Sequence, residues 1–221
     1  DNGNLIYCNS GVNPSLGQTG TVIELDYTTN YIYKFDNAGG IIDGRWGIYG
    51  LGDSTEYMMV SQIEKDHVGN IWIVNPFCEK YEHLLAVQMA DDPSAWHHVN
   101  IPDADSYNPQ TIALENRGFY KRVWIGFSYT KTRDNLDYSS GGIKVFNYTD
   151  LSFEDNDSSW LLIDNPDVFP GDSPTASILS LAIDQMGFLW VLSEKGIQGY
   201  EISGNNNITL DPLREYEDEH G

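Results

Sequence analysis

One phrase constrains what this chain can fold into, because the chain repeats it. Ile63 is followed by Asp66-His67-Val68-Gly69-Asn70 and then by Ile71-Trp72-Ile73-Val74. This reads as a short strand, a tight turn and a second, almost wholly apolar strand, which is a β-hairpin. The turn chemistry fits: an aspartate side chain bonds the backbone two residues on, and glycine or asparagine takes the positive φ that closes the turn. The phrase returns from Ile178 to Leu192, with Asp184, Gly187 and Trp190 at the matching places. A third copy runs from Thr111 through Gly118 to Trp124, its turn lengthened by three residues. A fourth, at the amino end, has Gly3, Asn4 and Ile6, with isoleucine in place of tryptophan, so the chain begins inside a repeat. Trp72 and Trp190 are therefore expected in equivalent surroundings.

Each hairpin is followed by a second recurring pair of strands. One member reads Gly20 to Asp26, Leu84 to Met89, Gly142 to Asn147 and Gly196 to Ile202; the next reads Tyr31 to Phe35, Trp96 to Ile101 and Trp160 to Ile163. A unit is thus four short strands. The anchors Ile6, Trp72, Trp124 and Trp190 stand 66, 52 and 66 residues apart, longer than the roughly 40–50 residues of a typical propeller blade. The excess belongs to loops: Asp36 to Met58, rich in glycine around Trp46, Asp103 to Gln110, Ser128 to Gly141, and Asp164 to Pro174. No stretch carries a capped helical period, so essentially no helix is expected. The fold class is all-β, a β-propeller array forming one domain over 1–221, with blades at about 1–58, 59–109, 110–174 and 175–221.

Composition narrows the partners. The net charge is −21, from 33 acidic and 12 basic residues. Nucleic acid is a poor partner for such a surface, because binding it needs clustered lysine and arginine, and an anionic membrane is disfavoured for the same reason. No apolar run of about 18 residues is present, so no transmembrane helix is expected. The acidity suits an extracytoplasmic home in the periplasm, at the cell surface or in the medium. Cys8 and Cys78 lie at or just beyond corresponding strands of neighbouring units, and whether they are bridged is a matter of geometry that sequence does not decide.

With these residues in view, Asp66 to Trp72 and Asp184 to Trp190, the latter followed by Gly196-Ile197, resemble the two-component-regulator propeller repeat. The resemblance touches all four units and is specific in two. It implies a role in bacterial periplasmic sensing of glycan fragments, or in surface proteins of bacteria with type IX export. It also implies a ring of about seven blades, so that this chain is either part of a larger polypeptide or assembly, with an open sheet face at each end covered by other sequence or a partner, or closes as a four-bladed ring. It supplies no catalytic residue.

The repeated residues Asp66, Gly69, Trp72, Trp124, Asp184, Gly187 and Trp190 are read as structural, since one turn-capping aspartate per unit is a folding device. His97 and His98 alternate to opposite strand faces and do not chelate one ion together. Acidic runs around Asp103, Asp134, Glu154 and Asp164 offer oxygen ligands for calcium but lack an EF-hand pattern; no other cofactor and no metal site is expected. Aromatic loop residues are the candidate binding set: Trp46, Tyr49, Tyr107, Tyr120, Tyr129 and Tyr138. Flat rings beside polar loops suit a sugar or a protein surface, and the competing role is packing against neighbouring blades. The expected function is a non-enzymatic binding or scaffold module for a glycan or protein. The alternatives are a propeller-type glycan hydrolase or lyase, and an architectural module of a larger surface assembly.

Overall fold

The computed structural model describes residues 5–9, 21–26, 28, 31–35, 41–42, 45–46, 60–76, 84–92, 96–102, 108–115, 121–130, 137–148, 160–163, 176–204 and 208–213. Every regular element among them is a β-strand. The first sheet comprises β1 (Leu5–Asn9), β2 (Thr21–Asp26) and β3 (Tyr31–Phe35), and a small hairpin pairs β4 (Ile41–Ile42) with β5 (Arg45–Trp46). The second sheet is β6 (Gln62–Lys65), β7 (Ile71–Val74), β8 (Leu85–Gln88) and β9 (His97–His98). The third is β10 (Pro109–Glu115), β11 (Arg122–Phe127), β12 (Gly142–Asn147) and β13 (Trp160–Ile163). The fourth is β14 (Ile178–Ile183), β15 (Phe188–Ser193), β16 (Gly196–Ser203) and β17 (Thr209–Pro212).

Strand order follows chain order in every sheet and every pairing is antiparallel. Such a meander needs only short reversals, which is what the turn signals supply. No helix among the described residues is long and apolar enough to cross a membrane. The segment Asp36 to Met58, expected as loop, contains the β4–β5 hairpin; its Asp43-Gly44 step is a strong tight-turn signal that the surrounding glycines obscured.

The sheets stack in chain order, and the alternation of side chains shows how. The face bearing Trp72 also carries Gln62, Val74, Leu85 and Val87, and it packs on Ile112, Val123, Ile125, Phe127, Phe146 and Tyr148 of the third sheet. The other face of the third sheet, with Ala113, Trp124, Ile143 and Val145, packs on Ile178, Leu181, Leu189, Val191, Tyr200 and Ile202 of the fourth. Ile6 of the first sheet, in the tryptophan position, packs among Ile63, Ile73 and Ala86 of the second. The tryptophan face of each sheet, its front, thus meets the opposite face, the back, of the next. First strands approach one another closely, as β10 does β6 and β14.

Double-sided burial explains the continuous apolar runs. All six residues of β11 are buried, whereas β15 alternates, with Leu189, Val191 and Ser193 buried and Trp190 and Leu192 exposed. The expected equivalence of Trp72 and Trp190 therefore holds for register, each lying in a second strand three residues after the turn glycine. It fails for burial, 0% exposed against 40%, because no sheet among the described residues covers the fourth sheet's front.

Candidate functional site

Two ends of the stacked sheets carry chemistry. At one, the turn between first and second strands is built around an acid. Asp66, itself buried, accepts the Val68 N–H at 3.1 Å and the Asn70 N–H at 2.8 Å on Oδ1, while Oδ2 accepts Asn70 Nδ2 at 2.8 Å. Oδ2 also takes the indole N–H of Trp72 at 3.4 Å and the hydroxyl of Tyr148, from the third sheet, at 3.1 Å. A buried carboxylate is tolerated when donors surround it in this way. Gly69 closes the turn at φ 100°, and Asn70 Oδ1 accepts the Ala90 N–H at 3.0 Å, tying the turn to the end of β8. Tyr148 also lies against Trp72, ring centroids 4.9 Å apart.

Asp184 repeats the arrangement at the surface. It accepts Met186 N–H at 2.9 Å, Phe188 N–H at 3.0 Å and the Trp190 indole N–H at 2.9 Å, with Gly187 at φ 84°. These donors, the indole first, hold its carboxyl below the usual aspartate range. In the third sheet Glu115 takes the acid's place: Oε2 accepts Trp124 Nε1 at 3.1 Å and pairs with Arg122 at 3.2 Å, both side chains buried. Arg122 then donates to the Gly204 carbonyl of the fourth sheet at 3.3 Å. Sequence reading missed Glu115, Arg122 and Tyr148. Glu115 was findable, because it stands three residues after Ile112 as Asp66 stands after Ile63.

At the opposite end, where β11 leads into β12, Tyr129 and Tyr138 stack with ring centroids 5.0 Å apart and planes 17° from parallel. The base below them is laced by hydroxyls. Ser139 N–H donates to the Thr130 carbonyl at 2.7 Å, and Ser139 Oγ accepts the Thr130 N–H at 3.1 Å and lies 2.7 Å from the Ser128 carbonyl. From the fourth sheet, Ser177 Oγ accepts the Tyr129 N–H at 3.0 Å. Tyr129 is half-buried and Tyr138 is 55% exposed, so the solvent-facing part of the pair is mainly Tyr138. A preset aromatic pair can stack on an apolar ring face while a phenol hydroxyl hydrogen-bonds the groups around it.

Of the remaining candidates, Trp46 lies in β5 with its side chain outside the described residues, and Tyr49, Tyr107 and Tyr120 fall outside them altogether. The structure brings together two of the six, Tyr129 and Tyr138. Cys8 is in β1 with its side chain not described, and Cys78 is outside. His97 and His98 form β9, both half-buried. Among the described residues no three histidine, cysteine or acidic groups cluster as a metal site.

No protein-family model matches the sequence, and no curated protein matches it significantly. Solved structures do. The surface component PorZ of the type IX secretion system of Porphyromonas gingivalis is similar over 95% of this chain, at 17% identity and a TM-score of 0.50. The extracellular domain of a hybrid two-component system from B. thetaiotaomicron is similar over 87% of the chain, at 14% identity and a TM-score of 0.48. A gluconolactonase from Xanthomonas campestris is similar over 87%, at 13% identity and a TM-score of 0.45. This chain spans 35%, 20% and 58% of those three chains respectively. At such identity the likeness to PorZ speaks to the fold.

Proposed function

We propose that the chain is a run of β-propeller blades serving outside the cytoplasm as a non-enzymatic binding module, which takes a glycan or protein ligand through loops at the end opposite the acid turns. The observation that carries this reading is the exposed Tyr129–Tyr138 stack, held by Ser139 and Ser177 between two sheets. The fold supports the propeller form: antiparallel sheets in chain order, each front on the next back. Likeness to a bacterial surface component agrees with an extracytoplasmic place. The proposed site needs no cofactor. Its two rings are already stacked, so little ordering is left to oppose binding.

The test is a glycan array followed by calorimetry on the best saccharide. Tyr138→Ala should weaken binding by about tenfold, the scale of one lost aromatic contact, while leaving the melting temperature within about 2 °C. Absence of binding to any saccharide removes the glycan form of the reading, and unchanged affinity in Tyr138→Ala removes this site. An architectural role is a second reading, favoured by the open front of the fourth sheet. The glycan hydrolase or lyase alternative has no specific observation in its favour.

A further inference from the structure

A phenol can lose an electron and a proton together to give a phenoxyl radical, and two such radicals join when their rings meet face to face. The carbons that join are the Cε atoms beside each hydroxyl, and the bond forms along orbitals that stand normal to the ring planes. Stacked rings are therefore the arrangement from which coupling starts. Tyr129 and Tyr138 have centroids 5.0 Å apart and planes 17° from parallel, an offset stack in which the edge of one ring lies over the other.

The stack is fixed from below on both sides. Tyr129 donates its N–H to Ser177 Oγ at 3.0 Å, and that hydroxyl donates to the Tyr129 carbonyl at 3.4 Å. Ser139, the residue after Tyr138, donates its N–H to the carbonyl of Thr130, the residue after Tyr129, at 2.7 Å, and accepts the Thr130 N–H on Oγ at 3.1 Å. A Cβ at Gly141 would run into the Ala176 carbonyl, so this backbone is pressed against the chain that carries Ser177. Main chain of the third and fourth sheets thus keeps the rings together. Access is uneven: Tyr138 is 55% exposed and Tyr129 half-buried, so a dissolved oxidant reaches Tyr138 first. Tyr148, by contrast, is buried against Trp72 and bonded to Asp66.

We propose that Tyr129 and Tyr138 are a site of oxidative cross-linking, at which a peroxide-driven one-electron oxidant, such as the oxidised haem of a peroxidase, joins a Cε atom of one ring to a Cε atom of the other. The first oxidation takes an electron and a proton from the Tyr138 hydroxyl. The radical exchanges with Tyr129 through the stack, and a second oxidation at Tyr138 leaves one radical on each ring. The two Cε atoms then bond, and the hydrogen on each moves by way of solvent to the oxygen of its own ring, restoring two phenols. In all, two electrons and two protons leave the pair and convert one hydrogen peroxide to two waters. The product is a covalent staple across the segment between the two tyrosines. Orientation of this kind raises the rate of joining far above that of free tyrosines, and a charge of −21 opposes the competing reaction between two molecules. The inference uses residues of the proposed binding site but not its ligand, so each reading stands if the other fails.

The test is treatment of the 221-residue chain with a haem peroxidase and limiting hydrogen peroxide, followed by trypsin and mass spectrometry. Trypsin cuts after Arg122, Lys131, Arg133 and Lys144, so the fragments 123–131 and 134–144 carry one tyrosine each. They should be recovered joined, lighter than their sum by two hydrogen atoms, and should exceed every other joined tyrosine pair by about tenfold or more. Oxidation of the exposed Met186 and Trp190 adds oxygen instead and is told apart by mass. The yield should be independent of protein concentration, and the preference should vanish when the chain is unfolded in urea before oxidation. The inference is overturned if the two fragments stay separate while peroxide is consumed, if they join no more often than other tyrosines, if urea leaves the preference unchanged, or if joining rises with concentration and doubles the mass. A second variant guards against a product formed elsewhere: Tyr138→Phe keeps the ring and removes the hydroxyl, so biphenol fluorescence should fall at least about fivefold, and fluorescence equal to the parent's overturns the assignment.

Discussion

Asp66 and Asp184 are the same residue in the same turn, and their surroundings make them unequal. Asp66 gathers donors from its own turn and from Tyr148 of the next sheet, most of them shielded from water, whereas the donors to Asp184 come from its own sheet at the surface. Removing a buried acceptor strands its donors, at about 1–3 kcal/mol for each group left unpaired. Asp66→Ala should therefore cost about 3 kcal/mol or more in urea denaturation and Asp184→Ala distinctly less; equal costs would show that the cross-sheet bond contributes nothing. Tyr148 adds a pH dependence. Burial, and secondarily the Asp66 carboxylate beside it, raise its pKa far above the usual tyrosine value, and burial alone pushes Tyr200 up to about 12. The folded state therefore holds these protons more tightly than the unfolded chain. Their contribution is complete below about pH 10, the unfolded value, and is lost as pH rises beyond it. Stability measured from pH 8 to 11.5 should fall less steeply in Tyr148→Phe than in the parent, although at pH 7 the variant should be weaker by roughly 1–2 kcal/mol for the lost hydrogen bond to a charged group.

Sheets in this array differ in how closely they are clasped, and glycines mark the difference. A Cβ at Gly126 would meet Ile178 Cγ2 at 2.5 Å and Thr111 Cγ2 at 2.7 Å, both branched side chains within the interface of the third and fourth sheets. Gly126→Ala should then cost about 1–3 kcal/mol by forcing the sheets apart. At Gly199 the near atoms are the ends of Leu213 and Trp190 on an open face, so Gly199→Ala should cost less than half as much in the same denaturation series. The strands themselves were legible from sequence, because apolar runs such as Ile71 to Val74 alternate with aspartate and glycine turns. The acid of the third repeat was hidden by glutamate at position 115 and a lengthened turn. The Gln62 and Thr111 contacts to the next sheet were not legible at all, since a polar residue four before an acid has meaning only once two sheets are set side by side. Tyr129 and Tyr138 were named as ring-bearing loop residues, but their pairing is a long-range matter that the eight residues between them in sequence do not dictate.

For the molecule as a whole, each sheet touches chiefly its neighbours in sequence, so stability is a sum of sheet and interface terms and need not be lost all at once. The third sheet is clasped on both faces, by Trp72 and Leu85 of the second sheet on one side and by Leu189 and Tyr200 of the fourth on the other. It also anchors the buried link Asp66 to Tyr148 and the buried pair Glu115 to Arg122, which reaches on to the Gly204 carbonyl. Among the described residues the fourth is clasped on its back alone. Burying one large apolar side chain contributes about 1.5–3 kcal/mol, so the open positions Trp190, Leu192 and Ile197 represent several kcal/mol of stabilisation that the third sheet has and the fourth lacks. Native-state hydrogen exchange should then show the amides of β11 and β12 exchanging slowest and those of β16 and β17 opening earlier, at a free energy lower by at least about 2 kcal/mol. Uniform protection across both sheets would mean that the chain unfolds as one unit, and the nearest-neighbour account of its stability would have to be abandoned.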